Sequence, residues 1–270
     1  MHYCNIGPVT VQADPHAPRA RKFSVVHDRH LPAIKPLTGR SVVLSALLGY
    51  HPPALPVSAL VRVGALFDVA ERTTRVALSR MVADGDLVAD NGVYRLSERL
   101  VRRQARQEDS ASPRSRSWSG DWEMAVVTTP ARPQAERVAL RRNMVDLRLA
   151  ELREGVWIRP DNLVRRIDGV ITDQCTFFEC RYPSPSELIN GLWDLSEWAH
   201  TARQLTEDME SGSNLKTDFM LIAEVVRHLR IDPYLPPELL PGEWPGPGLR
   251  ERYINFRDEF ARRLRDYSTA

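Results

Sequence analysis

Cysteine is scarce in this chain: Cys4, Cys175 and Cys180 are the three among 270 residues. An odd number in a chain large enough to fold without covalent staples argues against a disulfide framework. Lysine is equally rare, with Lys22, Lys35 and Lys216 alone, so the cationic groups are almost all guanidinium. No apolar run approaches the ~18 residues needed to span a bilayer. The first thirty residues lack the charged-then-apolar order of a secretory signal, so a cytoplasmic location is expected. No nucleophile elbow, P-loop or dinucleotide glycine fingerprint is present. The chain is therefore not read as an enzyme, and neither catalytic residues nor a cofactor are expected.

What is present is ordinary in bulk and uneven in placement. Hydrophobic residues make up 43% and charged residues 27%, the composition of a globular protein with more than one core. The net charge of +2 hides an asymmetry: residues 1–116 carry 17 Lys/Arg against 10 Asp/Glu, and residues 117–270 carry 20 against 25. A basic half joined to an acidic half suggests that one end meets a polyanion while the other does something else.

Residues 1–36 are rich in proline and mixed charge and read as a flexible extension. His16, His27 and His30 lie within it without a second cluster of ligands, so no metal site is expected. From Thr38 the spacing of Val43, Ala46, Leu47 and Tyr50 predicts an amphipathic helix, ended by Pro52, Pro53 and Pro56. A second helix is expected from Ser58, as N-cap, to about Phe67, with Gly64 permitting close approach of a neighbour. A third runs from about Glu71 to Ala83, with Gly85 placed to stop it in the left-handed conformation. The stretch DLVADNGVYRLS then carries two strand-like runs flanking Asn91-Gly92, the dipeptide suited to a tight hairpin. Three helices followed by a hairpin make residues 37–100 a winged helix-turn-helix.

At ~100° per residue, Thr74, Ala77, Leu78, Met81 and Val82 fall on one side of the third helix. Arg72, Arg75, Val76 and Ser79 fall on the other, bordered by Thr73 and Arg80. This division suits a recognition helix that packs by one stripe and enters the major groove by the other, where arginine donates two hydrogen bonds to guanine O6 and N7. The bland alternative is a solvated, arginine-rich helix face; the adjoining hairpin, with Tyr94 and Arg95 on its return strand, favours DNA. Arg40, at the first helix, is a candidate phosphate contact.

Residues 101–117 turn polar and are assigned as a linker. Residues 118–183 read strand (WEMAVVTTP), helix (Pro133 to Glu151), strand (GVWIRP) and strand (ITDQCTFFECRY), an order that fits a ferredoxin-like α+β domain. Cys175 and Cys180 are five apart in that last strand, so they point to opposite faces and do not converge on a metal. Residues 184–270 are expected to be mainly helical. Trp193 and Trp198 suit core packing better than stacking on an effector. Arg227, His228 and Arg230 suit a ligand phosphate and surface ion pairs equally, and no effector site is assigned.

The stretches GRSVVLSALLG, ALFDVAERTTRVALSRMVADGDL and GVYRLSERL resemble the N-terminal domain of PaaX-like transcriptional regulators. WSGDWEMAVV, LAELREGVWIRPDNL and RHLRIDPYLPPELLPGEWPG resemble later parts of the same family, so the likeness covers roughly residues 37–260. It implies a winged N-terminal domain, a ferredoxin-like middle domain similar to that of CRISPR-associated small nucleases, and a helical C-terminal domain. It also implies a homodimer on palindromic operators that represses a catabolic operon, of the phenylacetate-degradation type, and is released by an aryl-CoA or related acyl-CoA thioester. Two features depart from the pattern: the extension before Leu37, and VVTTP, which lacks the acidic residue a nuclease-like domain would use at its first strand. The expected fold is thus α+β and multi-domain, and the expected function is ligand-responsive regulation on double-stranded DNA. The competing readings are a nucleic-acid hydrolase built on the ferredoxin-like domain and a DNA binder without an effector.

Overall fold

The structure, a computed structural model, describes residues 38–50, 52–111, 113–129, 133–167, 169–211 and 214–269. The expected extension and its histidines lie outside these residues. In chain order the elements are α1 (Gly39–Leu48), β1 (Ala54–Pro56), α2 (Val57–Leu66), α3 (Glu71–Ala83), β2 (Leu87–Asp90), β3 (Val93–Leu96) and α4 (Glu98–Ala111). There follow β4 (Asp121–Val127), α5 (Gln134–Asp146), β5 (Ala150–Arg153), β6 (Val156–Pro160), α6 (Gly169–Thr172) and β7 (Cys175–Arg181). The remainder is helical: α7 (Pro185–Leu192), α8 (Leu195–Glu210), α9 (Leu215–Arg230), a 3₁₀ turn at Pro237–Leu239, and α10 (Gly246–Thr269).

The chain divides into two compact units. One comprises the described part of His27–Ser112 together with Ala202–Arg227 and Pro247–Ala270; the other comprises Pro113–Thr201 and His228–Gly246. The helical residues from 184 onward are thus shared between the two units. The pattern of apolar positions marks these helices clearly but does not say which core each face enters.

In the first unit, α1 begins where Thr38 Oγ1 accepts the Ser41 N–H at 3.2 Å. Ser58 does not cap α2 as expected. Pro56 occupies the cap position with extended ψ of 152°, because β1 runs directly into the helix. The Val57 N–H instead donates to Gly92 O at 2.9 Å. Strand β1, unforeseen in the proline-rich segment, pairs antiparallel with β3, which pairs antiparallel with β2, giving the order β1-β3-β2. Asn91 and Gly92 both have positive φ, 48° and 78°, as a two-residue hairpin turn of this hand requires. The core joins Val42 and Leu47 of α1, Leu60 and Val63 of α2, Leu78 and Met81 of α3, and Leu87 and Leu96 of the hairpin. Phe219 and Phe260 enter the same core, and Phe219 lies tilted against Phe67 with ring centroids 5.1 Å apart.

Residues 98–111, most of which were assigned to the linker, are helical in α4. Leu100 is buried in the core, and Gln104 Nε2 donates to Leu48 O at 2.8 Å. The polar composition hid this helix: among its described residues Leu100, the Gln104 amide and the Arg99 pair with Asp86 hold it, and the amide satisfies a carbonyl that the end of α1 would otherwise leave open.

The second unit has the element order β4-α5-β5-β6-α6-β7 and an antiparallel sheet of order β5-β6-β4-β7, which fits the ferredoxin-like arrangement. Ile171 and Thr172, expected at the start of the last strand, belong instead to the short helix α6, held by buried Ile171. One sheet face packs Ala125, Trp157 and Cys175 against Leu140, Met144 and Ile171. The other packs Trp122 and Ile158 against Leu188, Ile189 and Leu192 of α7, with Cys180 at its margin. The two cysteines therefore lie on opposite faces.

Trp198 is sandwiched between His228 and Trp244, with ring centroids 4.5 and 4.7 Å away and nearly parallel planes. Both of its faces are thus covered by protein, and Trp193 packs partly buried on the same side of the sheet as α7. Arg230 pairs with Asp146 at 2.6 Å and Arg227 pairs with Glu224. Among the described residues no helix is long and apolar enough to cross a membrane.

Candidate nucleic-acid interface

Helix α3 is set by both of its ends. Glu71 places a carboxylate in the first turn and Arg80 a guanidinium in the last, each favourable to the helix dipole. At the C-terminus, Gly85 N–H donates to Val82 O at 3.0 Å and Asp86 N–H to Met81 O at 2.8 Å, with Gly85 at φ 70°. This paired closure is the Schellman arrangement, which the left-handed residue makes possible. It turns the chain straight into β2.

The inner stripe of α3 is fully buried at Thr74, Leu78 and Met81. Ala77 is half-buried, and Val82, expected on the inner side, is 37% exposed. The two flank the buried stripe at nearly equal angles, about 70° to either side at ~100° per residue, and the fold covers the Ala77 flank alone. There Gly39 of α1 comes so close that a Cβ on it would meet Ala77 Cβ at 3.2 Å.

The outer stripe forms a shallow, open depression lined by Glu71, Arg72, Arg75, Val76, Ser79 and Arg80. Thr73 is exposed beside it. Arg75 Nε donates to Glu71 Oε1 at 2.8 Å. Ser79 Oγ donates to Arg75 O at 3.1 Å, which leaves its lone pairs outward. Among the described residues no carboxylate pairs with Arg72 or Arg80. Val76 is 43% exposed between these polar groups, an apolar contact surface on a charged face.

The other expected residues are placed differently. Arg95 is exposed on β3 and pairs with Asp90 at 3.3 Å. Tyr94, its neighbour on the strand, shares the face of buried Leu96 and packs half-buried against the core. Arg40 of α1 pairs with Asp84 at 3.3 Å and with Asp86. Asp86 is also paired with Arg99 of α4, so one buried carboxylate ties α1 and α4 to the end of α3. Two residues of this surface were not singled out in the sequence. Glu71 was legible, standing four residues before Arg75. Asp86 was not, since nothing local distinguishes it from Asp84.

Among the described residues there is no group of three or more His, Cys, Asp and Glu side chains that could hold a metal ion. Three family profiles match in succession: PaaX-like protein over residues 38–100, PaaX protein central Cas2-like domain over 115–187, and PaaX-like protein C-terminal domain over 192–270. Among solved structures, the uncharacterized protein Rv0674 from Mycobacterium tuberculosis is similar, at 44% identity and a TM-score of 0.76, over 86% of this chain and 99% of that one. No curated protein matches.

Proposed function

The chain belongs to the PaaX-like family, and on that premise we propose that it is a transcriptional regulator that binds DNA sequence-specifically through a winged helix-turn-helix. In this reading α3 is the recognition helix and the β2-β3 hairpin is the wing. The observation that carries the proposal is the division of α3 into a fully buried stripe and an opposite stripe of Arg72, Arg75, Val76, Ser79 and Arg80 left open to solvent. A helix held by one face and arginine-bearing on the other meets the requirement for major-groove entry. Arg72 and Arg80 supply free guanidinium groups, and Val76 offers an apolar contact for a thymine methyl.

Arg95 and Thr73, both exposed, are assigned to phosphates flanking the groove. Arg40, paired with Asp84 as Arg95 is with Asp90, is likewise assigned to a phosphate, whereas half-buried Tyr94 supports the hairpin from the core side. The middle domain at 118–183 and the helical residues at 184–270 are assigned to effector sensing and homodimer formation, with an acyl-CoA thioester as the effector class and the cytoplasm as the compartment. An effector releases the protein from DNA if it binds more tightly to the conformation that does not bind DNA.

The test is selection from a random duplex pool followed by gel-shift titration. Wild-type protein enriches one motif, and Arg75→Ala with Arg80→Ala abolishes preference for that motif while the melting temperature is unchanged. Equal affinity of wild-type and double-variant protein for the selected duplex would remove these arginines from the interface.

A further inference from the structure

The depression on α3 carries one anionic residue. Glu71 opens the helix, is exposed, and stands among Arg72, Arg75 and Arg80 on the surface that faces a polyanion in the proposed function, the reading on which this inference rests. A carboxylate there repels phosphate, so it weakens binding that depends on charge alone. What it does instead is visible in its contacts. Oε1 receives both Nε and a terminal nitrogen of Arg75 at 2.8 Å.

This geometry uses one edge of the Arg75 guanidinium and leaves the other edge, made by its two terminal nitrogens, pointing away from Glu71. That free edge has the spacing needed to donate to guanine O6 and N7 together. The pair biases the long side chain toward this orientation before DNA arrives, which lowers the entropy lost on binding. Glu71 Oε2 stays an acceptor, and two base-edge amines donate in the major groove, cytosine N4 and adenine N6; the adenine amine stands beside the N7 acceptor, which repels a carboxylate, so the cytosine N4 amine is the favoured partner. Guanine O6 and N7 and thymine O4 are acceptors, and a carboxylate facing them is repelled. N-terminal residues of a recognition helix are those that reach base edges, and Glu71 is the first residue of α3.

We propose that Glu71 is a specificity-determining residue: it orients Arg75 for guanine and selects cytosine at a neighbouring position of the site. Together they act as one donor-acceptor pair, and Glu71 exchanges affinity for any DNA for preference among sequences.

The experiment is selection from a random duplex pool with full-length wild type, Glu71→Gln and Glu71→Ala, followed by titrations on the selected motif and on unrelated duplex. Glu71 is exposed, so its variants are expected to melt with the wild type. The expected result is a wild-type motif containing a cytosine whose preference falls by about tenfold in either variant. Affinity for unrelated duplex rises in Glu71→Ala, which a merely structural role would not produce. An unchanged motif and specificity ratio in both variants would overturn the inference while leaving DNA binding intact. If the wild type enriches no motif, the DNA-reading role of α3 fails and this inference fails with it.

Discussion

Gly64 of α2 backs onto Thr74 of α3 so closely that a Cβ on it would fall under 3.0 Å from Thr74 Oγ1 and 3.4 Å from Val69 O. Thr74 is fully buried, and a β-branched side chain there has few alternative rotamers. The contact therefore sets how near the two helices approach, and through α3 it sets the pose of the arginine face. Gly64→Ala is expected to destabilise the first unit by about 1–3 kcal/mol, the usual cost of overpacking. Thr74→Ala removes the obstructing hydroxyl, so the double variant should recover part of the loss as a coupling energy in urea denaturation. Purely additive effects would show that the two residues do not define the helix spacing.

How far the fold was legible depended on whether a signal was local. The limits of α3 at Glu71 and Ala83 followed from its period and from Gly85, and the turn at Asn91-Gly92 followed from two residues that tolerate positive φ. Strand β1 was not legible, because Ala54–Pro56 is a strand by virtue of pairing with β3, forty residues on. Helix α4 was missed because a helix that buries Leu100 and uses Gln104 as a bonding group shows little apolar period. The same limit applied to the site. Side-chain direction on α3 could be computed from residue number, whereas the engagement of Arg40 by Asp84 and Asp86 depends on contacts between α1 and the end of α3.

Asp86 leads to a second prediction through an asymmetry of burial. Its side chain is 1% exposed, while those of its partners Arg40 and Arg99 are 47% and 69% exposed. Removing both arginines leaves a buried carboxylate without a cation, which is expected to cost about 3–5 kcal/mol. Asp86→Asn releases two arginines already largely in water and should cost only about 1–2 kcal/mol. Urea denaturation of Arg40→Ala with Arg99→Ala against Asp86→Asn checks the order. If Asp86→Asn were the more damaging, the buried carboxylate would be acting through something other than these two pairs.

A pH dependence is expected where β4 and β7 begin and end together. The hydrogen bond from Ser119 Oγ at 2.6 Å, and then that from Arg181 at 2.7 Å, hold the Asp121 carboxyl below its ordinary value, with the charges of Arg181 and Arg116 adding to the effect. A carboxyl whose value is lowered by folding stabilises the folded state above its unfolded value. It loses that contribution as pH falls through the folded value. The stability difference between wild type and Asp121→Asn should therefore be greatest near neutrality and shrink below about pH 4. The group is partly exposed, so added salt should reduce the difference. Thermal melts across pH at two salt concentrations measure it, and a difference that stays constant into acid would rule out the carboxylate as its source.

Arg159 is fully buried, and among the described residues no carboxylate is bonded to it. Its nitrogens instead donate to Pro160 O at 3.0 Å, to Asn162 Oδ1 at 2.7 Å and to Tyr234 O at 3.4 Å. Burial pushes its value well below that of an ordinary guanidinium, and the nearby charges of Arg165 and Arg148 act in the same direction. Tyr234 sits at φ 49° and also receives Asn162 Nδ2 at 3.1 Å, so these two side chains fix a strained residue of the proline-rich segment after α9. Arg159→Met leaves Asn162 Oδ1 without its donor, at about 1–3 kcal/mol, and takes from Pro160 O and Tyr234 O one of two donors each. Arg159→Lys should do no better, because an ammonium cannot span three divergent oxygens and is driven to shed its proton when buried. Both variants should melt earlier and be cut faster by protease between Asp232 and Gly242. A lysine variant as stable and as resistant as wild type would mean that positive charge, rather than the shape of the guanidinium, holds this segment in place.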